Sequence, residues 1–209
     1  MDLIDLVSDS GDSLSSCSSV LEVPGVNEET YVLSYDPGTL NLGYCVFRDA
    51  GEQEVVDIGV INPDILGMTA DHVSAALHVI CDMHRDRYPG IRLVLIEHQL
   101  TFQGARPYNQ APLRNALVQA CLSSYWRAVG VEVRQIFPMD VSRVLRLPRG
   151  RTPRQRAVIV AAEAEFNALQ HFGVPISAAA RARWLDLPLN LRVHAADALS
   201  FILFHLRLQ

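Results

Sequence analysis

Lysine is absent from this chain; all 18 basic residues are arginines. Any cation that must meet a phosphate is therefore a guanidinium. Residues 1–30 lack arginine as well, while holding seven acids: Asp2, Asp5, Asp9, Asp12, Glu22, Glu28 and Glu29. Such an N-terminus is the opposite of a basic signal or transit peptide. No apolar run approaches the ~18 residues of a membrane span, so the chain is expected to be soluble and to stay inside the cell. The four cysteines (Cys17, Cys45, Cys81, Cys121) contain no C-x-x-C pair. That excludes a disulfide or zinc framework read from spacing and predicts reduced, mostly core thiols.

What is present is a core. The chain has 209 residues, 49% of them hydrophobic, and a mean hydropathy of +0.14, which excludes a largely disordered protein. Residues 1–29 read as an acidic flexible tail and residues 30–209 as one domain, long enough to fold without staples. The net charge of −5 hides an asymmetry, because the tail's seven acids leave 18 arginines against 16 acids. Six arginines (Arg143, Arg146, Arg149, Arg151, Arg154 and Arg156) crowd a stretch with no acid. Such a patch suits a polyanion or forms a solvated loop.

Hydrophobic patterning predicts strands over 31–36, 43–48 and 54–61, then a helix capped by Thr69 and ending near Arg87. A buried strand over 91–97 follows, then a helix over 112–129, a strand over 131–137 and a short helix over 138–145. Thr152-Pro153 opens a helix running to about Gln170, since threonine caps free amides and proline tolerates the first helical position. A Gly/Pro break at 173–175 precedes a last helix over about 193–206. Hairpin strands followed by alternating helices and strands predict a mixed α/β sheet with helices on its faces.

Three acids occupy element edges. Asp36 ends the first strand, Glu97 ends the fourth, and Asp197 lies on the last helix. Acids at the carboxyl ends of central strands gather at the rim where α/β sites form. Three carboxylates around one point repel unless a hard divalent cation joins them, which favours Mg²⁺ or Mn²⁺. The Ser, Cys and His residues form no evident nucleophilic triad.

Asp36-Pro-Gly-Thr-Leu-Asn41-Leu-Gly43-Tyr-Cys45, Val94-Leu-Ile-Glu97-His-Gln99 and His194-Ala-Ala-Asp197-Ala-Leu together resemble the RuvC-like Holliday junction resolvases. The spelling is nearest the poxvirus and mitochondrial branch of that RNase H-like superfamily. The resemblance implies an RNase H-like sheet and a homodimer that cuts four-way junctions symmetrically by hydrolysis with two Mg²⁺ ions, Mn²⁺ being able to substitute. It assigns Asp36, Glu97 and Asp197 as metal-binding acids. His194 stands where most members have a fourth acid, as a ligand or as a solvent-facing helix residue. The family's lysine near the scissile phosphate is missing. Arg154 matches its position best, to stabilise charge or merely to contact backbone phosphate. With Arg143, Arg149, Arg151 and Arg156 it would bind DNA. Phe102, Arg106 and Tyr108, just after Glu97, would stack on or contact an opened junction, or simply pack as a loop. The helix over 112–129 would support dimerisation besides facing the core.

A poxvirus-type role would resolve branched genome concatemers in a viral factory in the host cytoplasm; the acidic N-terminus argues against mitochondria. Asp36-Pro-Gly-Thr39 also resembles the first phosphate loop of sugar-kinase and actin-like ATPases, although no second such loop follows. A catalytically inactive branched-DNA-binding relative is the third reading.

Overall fold

The structure is a computed structural model that describes residues 29–99, 111–146 and 174–209. Its strands are β1 (Tyr31–Asp36), β2 (Leu42–Arg48), β3 (Glu54–Ile61), β4 (Ile91–Glu97) and β5 (Glu132–Ile136). They form one sheet in the order β3-β2-β1-β4-β5. Strands β1, β2 and β3 pair antiparallel, whereas β1, β4 and β5 run parallel. The expected mixed sheet is therefore present, and β1 and β4, which carry Asp36 and Glu97, are neighbours.

Side chains alternate between the faces of a strand, and that alternation sorts the core into two layers. Tyr31, Leu33 and Tyr35 of β1, with Val94 and Ile96 of β4, pack beneath α1 (Ala70–Arg87) and α2 (Ala111–Ala128). Val32 of β1 and Leu93 and Leu95 of β4 face α3 (Pro138–Val144), α4 (Ala178–Asp186) and α5 (Leu189–Arg207). Ser34 shares this second face, where its hydroxyl donates to the Ala198 carbonyl of α5 at 2.7 Å. Continuing the parity by two residues sends Asp36 and Glu97 to the α5 side.

Two helical expectations need correction. Helix α4 follows the 173–175 break in a stretch for which the sequence predicts no element, and Ser177 caps it by accepting from the Ala180 amide at 3.1 Å. Three alanines then supply high helical propensity, and Trp184 buries against the core. Helix α5 starts at Leu189, about four residues earlier than expected, because Pro188 precedes the first turn rather than interrupting it. The thiols of Cys45 and Cys81 are buried, as expected, while Cys121 is half-buried. The expected tail and the 152–170 helix lie outside the described residues.

A close approach fixes α5 over the sheet. Gly43 pairs with Asp36 across β1 and β2, and a Cβ there would stand 2.1 Å from the His194 carbonyl oxygen. Only glycine lets the helix come so near, and this contact brings His194 beside Asp36.

One buried acid belongs to the scaffold. Asp57 of β3 is 1% exposed and accepts from the Tyr88 hydroxyl at 2.8 Å and the Tyr44 hydroxyl at 3.4 Å. It also pairs with Arg87 at 3.4 Å and, closely, with Arg183. Two cations and two hydroxyls thus offset the desolvation of one carboxylate and tie α1 and α4 to the edge of the sheet.

Candidate active site

The carboxyl ends of β1 and β4 meet the first half of α5. Asp36 is buried, and His194 Nδ1 donates to its Oδ2 at 3.0 Å. Asn41, in the turn after β1, places its amide nitrogen 3.5 Å from His194 Nε2. Histidine and Asp197 are three residues apart on α5 and so share a helix face. Glu97 feels the charges of both Asp36 and Asp197. All four side chains expected from the sequence are therefore brought together.

The electrostatics are those of crowded acids. Burial pushes the Glu97 carboxyl up to about 9, and the adjoining Asp36 and Asp197 push in the same direction. Gln99 opposes them by donating from Nε2 to Glu97 Oε2 at 2.7 Å. His194 is raised above the usual imidazole range, chiefly by its hydrogen bond to Asp36, with burial acting against it. Burial first, and the neighbouring acids second, thus favour the protonated form of Glu97.

Hard oxygens from three elements are the donor set a divalent cation prefers, and the raised Glu97 shows the repulsion such an ion relieves. As they stand, however, these groups bond to one another. Among the described residues, no set of three or more His, Cys, Asp or Glu side chains surrounds a common point as a metal shell. The residues suit the ion in chemical type, Asp36, Glu97 and Asp197 offering oxygen donors and His194 a nitrogen donor.

The remaining expected residues divide differently. Arg143 lies on α3 with a largely exposed side chain, paired with Asp140 at 3.3 Å, so the first arginine of the cluster has an acid partner one turn back. Phe102, Arg106, Tyr108, Arg149, Arg151, Arg154 and Arg156 lie outside the described residues. Residues not expected from the sequence are Gln119 and Ser123 of α2. Gln119 Oε1 accepts the Gln99 backbone amide at 2.8 Å, which fixes the residue that holds Glu97. Two polar residues four apart on the buried face of an otherwise apolar helix were the available signal.

Comparison with solved structures agrees with this architecture. The Thermus thermophilus RuvC structure in complex with a Holliday junction substrate superposes with a TM-score of 0.52 at 17% identity, over 84% of this chain and 94% of that one. The yeast mitochondrial Holliday junction resolvase Ydc2 gives 0.57 at 14% identity, over 88% and 82% respectively. The fold is RuvC-like. No family model matches the sequence, and neither does any curated protein. The RuvC-like fold nevertheless accounts for the neighbouring β1 and β4 and for the helix that crosses their carboxyl ends.

Proposed function

We propose that this chain is a divalent-metal-dependent endonuclease that resolves four-way and other branched DNA. The observation that carries the reading is the convergence of Asp36, Glu97 and Asp197 from β1, β4 and α5, with Glu97 pushed up to about 9 by burial and by the other two acids. A structural carboxylate would be given a cation, as Asp57 is; this cluster is built of acids.

In this reading Asp36, Glu97 and Asp197, with His194, hold Mg²⁺ or Mn²⁺, two ions per site. When bound, such ions stabilise charge on the phosphate and activate water for in-line hydrolysis. Gln99 orients Glu97, and Asn41 orients His194. Arg154 takes the electrostatic role that a lysine would otherwise fill, and the other arginines of the 143–156 stretch bind the DNA backbone. A homodimer matches the two-fold symmetry of a junction. The spelling of the Asp36 motif supports processing of branched viral genomes.

The deciding experiment incubates the full chain with a synthetic four-way junction and Mg²⁺ or Mn²⁺, with ATP hydrolysis followed in parallel. Paired symmetric nicks, abolished by EDTA, are expected. ATP turnover without nicking would move the protein to the actin-like ATPases, and tight junction binding without nicking would make it an inactive relative.

A further inference from the structure

Strand pairing runs out just past Glu97. The β1–β4 ladder ends at Tyr35 and Ile96, and toward β5 the His98 amide still donates to the Ile136 carbonyl at 2.8 Å. The Gln99 amide lies beyond both ladders, and a backbone donor in such a place needs an acceptor from elsewhere. Gln119 supplies it: its Oε1, on α2, accepts that amide at 2.8 Å. Gln99 then turns its side chain back, and Nε2 donates to Glu97 Oε2 at 2.7 Å. Two hydrogen bonds thus join α2 to a candidate metal-binding carboxylate.

The α2 end of this chain sits beside the outward side of its helix. Gln119 is buried, whereas Ala120 and Ser124 are exposed and Ala116 is half-buried. All four border one open cavity of about 840 Å³, and so does Gln99. This is the helix that the homodimer reading gives to a second copy, so the cavity is ground a partner would cover. In a lone copy the Gln119–Gln99 contact stands next to water. A partner seated there shuts that water out, and a hydrogen bond is stronger where the local dielectric is low.

We propose that Gln119 is a positioning residue that makes the setting of Glu97 depend on dimerisation. A second copy on α2 steadies the Gln119–Gln99 bond, and Gln99 in turn steadies Glu97. Cleavage is thereby tied to the two-fold assembly that a junction requires, and a lone copy holds its carboxylate loosely. The proposal rests on the nuclease and homodimer readings.

Two measurements test it without cleavage: hydrogen exchange at the Gln99 amide, read by mass spectrometry, and binding of Mn²⁺ alone, read by electron paramagnetic resonance. Sedimentation, junction binding and single-turnover cutting run alongside. Gln119→Met keeps the length of the side chain and removes the acceptor, while Gln119→Glu keeps an oxygen in place. Ala120→Arg combined with Ser124→Arg crowds charge onto the outward side of α2 to part the copies. Dilution of wild type through its dissociation range makes the same comparison with no substitution.

Gln119→Met should stay dimeric and bind junctions as wild type does. Its Gln99 amide should exchange about tenfold faster, as expected for one lost hydrogen bond, and Mn²⁺ should bind more weakly. Its cutting rate should fall about ten- to a hundredfold, the scale of a misplaced catalytic group. Gln119→Glu should restore most of each loss. The double arginine variant and diluted wild type should be monomers with the same fast exchange and weak Mn²⁺ binding, although Gln119 is intact. Monomers with the exchange and Mn²⁺ affinity of the dimer would overturn the proposal. So would a Gln119→Met protein that exchanges and cuts like wild type, or a double arginine variant that remains dimeric, which would seat the second copy elsewhere. If exchange and Mn²⁺ binding follow the dimer but wild type cuts no junction with Mg²⁺, the nuclease reading fails while the coupling stands.

Discussion

Asp57 and the Asp36–Glu97–Asp197 cluster place buried carboxylates in one sheet under opposite regimes. Asp57 is met by Arg87, Arg183 and two tyrosine hydroxyls, and its environment is complete without a ligand. Glu97 is met by Asp36 and Asp197, with Gln99 as its neutral donor. Burial of charge is costly in both places. In the first the chain supplies the compensation, and in the second it supplies more of the same sign. In the proposed reading, the difference separates a scaffold acid from acids assembled to share a cation.

Breaking the scaffold side should have the largest effect. Asp57→Ala leaves two guanidiniums and two hydroxyls without their acceptor, and should cost about 3–5 kcal/mol of stability. Chemical denaturation checks this, and a change below about 1 kcal/mol would mean that the arginines are held from solvent instead. Breaking the other side should spare the fold and remove the chemistry. Asp36→Asn or Glu97→Gln should cut junction cleavage by about a hundred- to a thousandfold, the scale on which preorganised charge acts. Junction binding in a gel-shift assay should be largely retained, and a variant that cuts at the wild-type rate would take that carboxylate out of the site.

The same pair can be sharpened through pH. A carboxyl raised to about 9 in the folded state and near 4.5 when unfolded gives stability that is complete below pH 4.5 and is lost as pH rises toward 9. Glu97→Gln does not titrate, so it should be more stable than wild type at pH 8, by about 1–3 kcal/mol, with the gap closing at pH 4. Mg²⁺ should stabilise wild type and not the variant. Thermal shifts at the two pH values, with and without Mg²⁺, measure both effects. Equal pH dependence of the two proteins would show that Glu97 is ionised without strain.

Much of this contrast could be read from the sequence, for a physical reason. Strand-end acids are local features: the apolar runs at 31–35 and 91–96 fix the strands, and parity fixes the face on which Asp36 and Glu97 emerge. Gly43 and His194 also stood inside recognisable motifs, although their mutual contact is a fact of packing. Helix α4 was missed because its signal, a serine cap before alanines, is short and follows a proline break. Gln119 was missed because its partner, the Gln99 amide, is twenty residues away and contributes a backbone group, which no side-chain motif records. Asp57 carried no sequence signal, since its partners come from three other elements.

The smallest effect belongs to His194, which lies between the two regimes: a side chain that can be a cation, set beside an acid expected to need one. Its hydrogen bond to Asp36 raises its proton affinity in the folded state. The resulting stability is present in full below the unfolded imidazole range, near pH ~6.5, and is lost as pH rises through the higher folded value. His194→Ala should therefore lose about 1 kcal/mol at pH 5.5, the worth of one such hydrogen bond, and close to nothing at pH 8.5. In cleavage the sign reverses. An imidazolium on Asp36 occupies the carboxylate that a divalent ion would share, so wild-type activity at limiting Mg²⁺ should fall on the acid side. His194→Asp should cut with that acid limb moved to lower pH, while His194→Ala should need more Mg²⁺ for the same rate. Identical Mg²⁺ dependence of His194→Ala and wild type across pH 6–9 would reduce His194 to a packing residue over Gly43, and the site would rest on its three acids.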